Sequence, residues 1–185
     1  MTSSPYSPSL LTLAAATAPL THRQLWRALP SAERRHAAAV LLADSESPWA
    51  RPALVDFLAR VNKGFRRPTI AGWSNDKIAD EIGRKPLEDA PLIDTLLKAL
   101  HFPERVALQA AFFDAAGIAH ADGMIEGDAL PQPATTPDVA AAAAATLLGA
   151  HPGDAALFYL LCISALEPGA WPTLHAAVRS LAVPA

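Results

Sequence analysis

His120, Asp122, Glu126 and Asp128 lie in one short stretch, His120-Ala121-Asp122-Gly123-Met124-Ile125-Glu126-Gly127-Asp128. Imidazole nitrogens and carboxylate oxygens bind metals, and a carboxylate beside a metal-bound water serves as a general base. This stretch is therefore the candidate for a metal-dependent enzyme. A second constellation is basic: Arg60, Lys63, Arg66 and Arg67, followed by Trp73. Such cations meet phosphates or carboxylates, and an indole adds a flat face for stacking, so these five residues are the candidate binding surface.

The spacing limits the metal reading. Asp122-Gly123-x-Ile125 matches the middle of a calcium loop, where Asp ligates, Gly permits the sharp turn and Ile packs. In that register Ile118 and His120 occupy the first and third ligand positions. Ala129 stands where the closing bidentate carboxylate is required. No His-x-x-x-His pair strengthens a transition-metal site, and the six histidines are scattered singly. The same residues resemble the Ala-Asp-Gly-x-Ile turn of tellurite-resistance B-type helical domains, a likeness that implies an acidic turn between helices. Phosphate loops, dinucleotide fingerprints, nucleophile elbows and Cys-x-x-Cys pairs do not occur, so no cofactor is expected.

Next to the basic residues, Ser74 to Gly83 resembles the first helix and turn of a helix-turn-helix. Ala79 is the small contact residue, Gly83 the turn, and Ile78 and Ile82 the apolar contacts. The second half departs from that pattern: Arg84 and Asp89 fall where burial is needed, and Pro91 would interrupt the recognition helix. Arg84 and Lys85 nevertheless enlarge the basic surface, which keeps a nucleic-acid-binding regulator as an alternative. Trp73 also suits packing, plugging a gap between helices while Arg stems lie over it. Trp26, Trp49 and Trp171 are expected to pack.

These residues must be positioned by helices. Apolar residues recur at helical spacing, as in Leu92, Ile93, Leu96, Leu97 and Leu100, and alternating strand patterns are nearly absent. Prolines, read as helix starts, place helices near 9–18, 21–29, 31–43, 48–61, 75–83, 91–100, 103–116, 137–150, 154–167 and 172–181. Ser47 and Thr136 supply side-chain oxygens as caps. The expected fold is all-α, an irregular helical bundle of about eight to ten short helices. Residues 1–20 read as a flexible N-terminal segment with a short helix. Residues 21–185 read as one helical domain, with an internal loop at 131–136.

An internal echo suggests duplicated helical hairpins: Leu25, Ala28, Leu29, Glu33, Arg34 and Ala39 recur at one offset as Leu96, Ala99, Leu100, Glu104, Arg105 and Ala110. A weaker third copy pairs Leu25 with Leu147 and Trp49 with Trp171. Helix 154–167 is apolar nearly all round, which places it at the centre or at an oligomer contact.

Charge is uneven along the chain. Up to Arg105 the formal net is +3, and beyond it −6, for a total of −3. That total gives no bulk attraction to nucleic acid or anionic lipid. The apolar runs are too short to span a membrane, and no Lys or Arg precedes Arg23 as an export signal would require. A cytoplasmic location is expected. The single cysteine, Cys162, sits in an apolar run and reads as a buried core residue. The balance points to a non-catalytic protein-binding or assembly role, with a protein partner or a homo-oligomer. The basic connector and the acidic loop carry the two alternatives.

Overall fold

The computed structural model describes residues 4–101, 105–125 and 136–183. In chain order the helices are α1 Pro8–Ala15, α2 His22–Ala28, α3 Ser31–Ala43, α4 Ala50–Val61, α5 Arg67–Ala71 and α6 Asn75–Arg84. They continue as α7 Ala90–His101, α8 Val106–Ala116, α9 Pro137–Ala150, α10 Asp154–Leu166 and α11 Leu174–Ala182. Among the described residues there is no strand, only an isolated bridge between Ala121 and Met124. The fold is all-α, an irregular bundle of short helices. No described helix is long and apolar enough to cross a membrane.

Ten of the helices fall where periodicity and proline punctuation place them. The exception is α5, which lies in a segment read from sequence as an irregular connector. One turn and a half is too short to show a 3.6-residue period. The caps also differ from expectation. Thr136 precedes α9 without a side-chain capping bond. Side-chain capping occurs at Ser74, whose Oγ accepts the Lys77 N–H at 3.3 Å. At Thr21 and Gln24 the two side chains accept each other's backbone N–H, at 3.3 and 2.8 Å. Asp89 does the same for α7, accepting the Leu92 N–H at 3.2 Å, so its polar side chain is a cap and Pro91 sits in the first turn.

By packing, the chain divides into two compact units: Leu29–Pro103, here the middle unit, and Met1–Ala28 with Glu104–Ala185, here the terminal unit. The names refer to sequence. In both full copies of the echo one helix falls in each unit, α2 with α3 and α7 with α8. The matched leucines Leu25, Leu29, Leu96 and Leu100 are all buried.

In the terminal unit α10 is the central element. Ala156 to Cys162 are buried without a break, and α1, α2, α9 and α11 pack on this helix. Phe112 of α8 joins Tyr159 of α10 and Trp171 through ring contacts at 6.1 and 4.9 Å. Cys162 is fully buried, and burial pushes its thiol pKa well up, so it stays a protonated hydrophobe. Trp26 and Trp171 pack as expected, but Trp49 is 48% exposed. It occupies the N-cap of α4, off the helix face that buries Ala50, Leu54, Val55, Phe57 and Leu58.

In the middle unit α3 carries both α6 and α7, and α4 packs on α5 and α6. α3 and α6 run antiparallel. Gly83 near the end of α6 meets the start of α3, while Asn75 at the start of α6 donates from Nδ2 to the Leu42 carbonyl near the end of α3 at 3.3 Å. Gly83 therefore does not form the turn expected of it. It stays helical, at a crossing where an added Cβ would lie 2.8 Å from the Ser31 carbonyl oxygen and 3.1 Å from the Arg35 nitrogen. Ala37 and Ala38 on α3 and Ala79 on α6 keep the rest of the interface shallow. Arg35 adds ion pairs to Asp80 and, at 3.9 Å, to Asp76.

Two glycine substitutions separate packing from propensity. Gly83→Ala is expected to lower stability by roughly 1–3 kcal/mol, because its obstacles are backbone atoms that cannot turn away. Gly149→Ala, at an exposed position of α9 with nothing within 4 Å, is expected to raise it by up to about 1 kcal/mol. Urea midpoints followed by circular dichroism check both signs.

Candidate binding surface

The basic residues named from sequence lie on the middle unit, at the end of α4, in the link to α5 and at its start. They are not equivalent. Arg60 pairs with Asp89 at 3.2 Å, and Arg67 with Asp56 of α4. Lys63 and Arg66 are exposed and make no ion pair among the described residues. Between them stands Phe65, 46% exposed, whose ring meets the Trp73 indole at 5.2 Å with planes 77° apart. Trp73 is itself buried, and the Lys77 ammonium lies over its ring at 4.2 Å. The structure thus brings Lys63, Phe65, Arg66, Trp73 and Lys77 to one surface and takes up the charge of Arg60 and Arg67 locally. Phe65 and Lys77 carry no signal in sequence that marks them for a site: a lone phenylalanine in a short link and a lysine in an amphipathic helix are both commonplace.

A further residue gave no signal in sequence. Arg51 of α4 donates from Nη2 to the carbonyls of Ala71 at 3.1 Å and Trp73 at 2.6 Å, and from Nε to Asn75 Oδ1 at 3.0 Å. One guanidinium thereby holds three points of the α5–α6 connection, using the fixed fork of its donors. Asn75 passes the restraint on to α3. This clamp sets where Trp73 sits, and Trp73 in turn seats Phe65.

The helix-turn-helix expectation is not met in its details. α6 and α7 each pack on α3, and Gly83 is an interhelical contact rather than a turn. α7, which would be the recognition helix, buries Leu92, Ile93, Leu96, Leu97, Leu100 and His101. Its remaining cation, Lys98, pairs with Asp94 at 3.1 Å. Arg84 and Lys85 both lean on Glu81, at 3.4 and 4.0 Å.

The acidic stretch lies on the terminal unit. α8 ends at Gly117, which takes a left-handed φ of 69°. Ala121 and Met124 then exchange both backbone hydrogen bonds, at 2.9 and 2.8 Å, around Asp122 (φ 49°) and Gly123 (φ 79°). Two positive φ values define the type I′ class, for which Asp-Gly is a preferred pair. The turn is seated on α8. Gln109 Nε2 donates to the Gly123 carbonyl at 2.8 Å, and a Cβ at Gly123 would lie 3.1 Å from the Val106 carbonyl oxygen.

His120 is used inside this turn. Its Nδ1 accepts the Gly123 N–H at 3.0 Å, and its Nε2 faces Asp114 Oδ1 at 3.2 Å. Both ring nitrogens are thereby engaged. Of the four proposed ligands, His120 and Asp122 belong to one tight turn, whereas Glu126 and Asp128 lie outside the described residues, as does most of the 131–136 loop. Among the described residues no three His, Cys, Asp or Glu side chains gather as a metal site. Comparison with protein-family models, with curated proteins and with solved structures found no match.

Removing the clamp tests how the surface is built. Arg51→Ala is expected to cost roughly 1–3 kcal/mol, with Arg51→Lys recovering only part, because an ammonium lacks the fork that reaches several acceptors. Urea unfolding measures the loss, and a red shift of native tryptophan emission reports Trp73 leaving its seat.

Proposed function

We propose that this protein is a non-catalytic binding domain that engages an acidic protein segment through Lys63, Phe65 and Arg66, with Trp73 and Lys77 as the support beneath. The observation that carries this reading is the exposed Phe65 ring flanked by Lys63 and Arg66, cations that pair with no carboxylate among the described residues. An aromatic anchor ringed by charge is the arrangement in which burial supplies affinity and the rim supplies orientation and encounter rate. The neighbouring pairs Arg60–Asp89 and Arg67–Asp56 support it too, since they leave the positive potential concentrated at Lys63 and Arg66.

A second reading, single-stranded nucleic acid, draws on the same exposed ring, because bases stack on aromatics beside cations. The formal charge of −3 and an α7 whose lysine, Lys98, is paired with Asp94 weigh against it.

The two readings separate in one titration. Short acidic peptides carrying Leu, Met or Phe are expected to bind at low salt, and Phe65→Ala or the pair Lys63→Ala/Arg66→Ala to weaken them by about tenfold or more. Lys98→Ala is the control and should change nothing. Binding of an oligothymidylate instead, with the same sensitivity, would move the assignment to nucleic acid. Neither binding would remove this surface as the functional one.

A further inference from the structure

We infer that the acidic segment belongs to a second copy of this chain, whose turn at Asp122–Met124 docks on the Lys63–Phe65–Arg66 surface of its neighbour. The inference rests on the binding reading above and names its partner.

The turn is built to be presented. Gln109 and His120 hold the Gly123 peptide from both sides, and Gly123 itself lies against α8, so the tip is fixed rather than loose. From that base Asp122 is exposed and Met124 is 52% exposed, so the turn presents one carboxylate and one uncovered thioether. Asp114, which meets His120, is also open to solvent, at 78%. The opposing surface has the complementary order: one exposed phenyl ring between two cations that form no ion pair among the described residues. A methionine sulfur packs favourably against an aromatic ring, and the Asp122 carboxylate in the same turn would meet Lys63 or Arg66.

The charge along the chain agrees. The middle unit, which carries the aromatic surface, has a formal net charge of +1, and the terminal unit, which carries the turn, has −4, so a contact of one kind of unit with the other is favoured over a contact between two terminal units. Such a contact is heterologous. In a joined pair one copy keeps a free turn and the other a free aromatic surface, so association continues into rings or open chains. Because a single turn buries little area, the association is weak, dependent on concentration and sensitive to salt.

Sedimentation velocity of the full chain tests this. At low salt the average mass should rise with concentration, and high salt should return it to the monomer. Two variants then divide the contact: Lys63→Ala/Phe65→Ala/Arg66→Ala removes the surface, and Asp122→Asn/Met124→Ala removes the turn, with Asn chosen because it tolerates the left-handed backbone. Each alone should lower the association constant by about tenfold or more. Mixed, they should form a capped one-to-one pair, since each keeps one working half. A monomer at every concentration in low salt, or association indifferent to both variants, would overturn the inference. If acidic peptides still bind while the chain stays monomeric, self-docking fails and the binding surface stands; if neither occurs, both readings fall together.

Discussion

The middle unit depends on how closely α6 can lie on α3. Gly83 brings the two backbones to a separation at which a methyl group would strike the Ser31 carbonyl, and Ala37, Ala38 and Ala79 continue the same shallow seam. With α6 at that depth, Ile78 and Ile82 reach full burial and Asn75 reaches the end of α3. The antiparallel pair then serves as the base on which α4 and the short α5 are arranged. A larger residue at Gly83 would move α6 outward, and Ser74 and Trp73 would follow it, because they precede its first turn.

Arg51 converts that packing into a defined surface. Apolar contact alone leaves a five-residue helix such as α5 little to hold it, since so short a helix gains few internal hydrogen bonds. The guanidinium supplies what the helix lacks by bonding the carbonyls that end α5 and precede α6. Trp73 is thereby seated, Lys77 lies across it, and Phe65 meets it at a steep angle with nearly half its own surface open. The terminal unit uses a parallel device on a smaller scale: Gly123 against α8, with Gln109 and His120 as braces, fixes an acidic turn in place. In both units a glycine pressed against a helix sets the position, and a polar side chain secures it.

Much of the architecture was legible because helices announce themselves locally. The leucine spacing of α7, the alanine run of α9 and proline in the first turn of both helices each mark an element within a few residues. The candidate surface was legible only as a list of charges. Arg60, Lys63, Arg66 and Arg67 are alike in sequence, yet two are neutralised by Asp56 and Asp89, which stand 11 and 29 residues from their partners. Trp49 looked like a packing residue and is half open, whereas Phe65, which carries no charge to single it out, is the exposed ring of the surface. Gly83 looked like a turn and is a helix crossing, because close approach and positive φ both call for glycine and a sequence does not distinguish them.

Residue pattern by itself determined that this chain is helical, where most helices begin and end, that Cys162 belongs to the core, and that positive and negative charge are divided between its two parts. Those properties depend on neighbours three or four positions away, on burial preference and on simple addition of charge. Tertiary structure decided which cations are paired with a distant carboxylate, which aromatic ring is left uncovered, and how an acidic turn is braced against α8. Each of these is settled by side chains far apart in sequence meeting at a few ångströms, a coincidence that local periodicity does not encode.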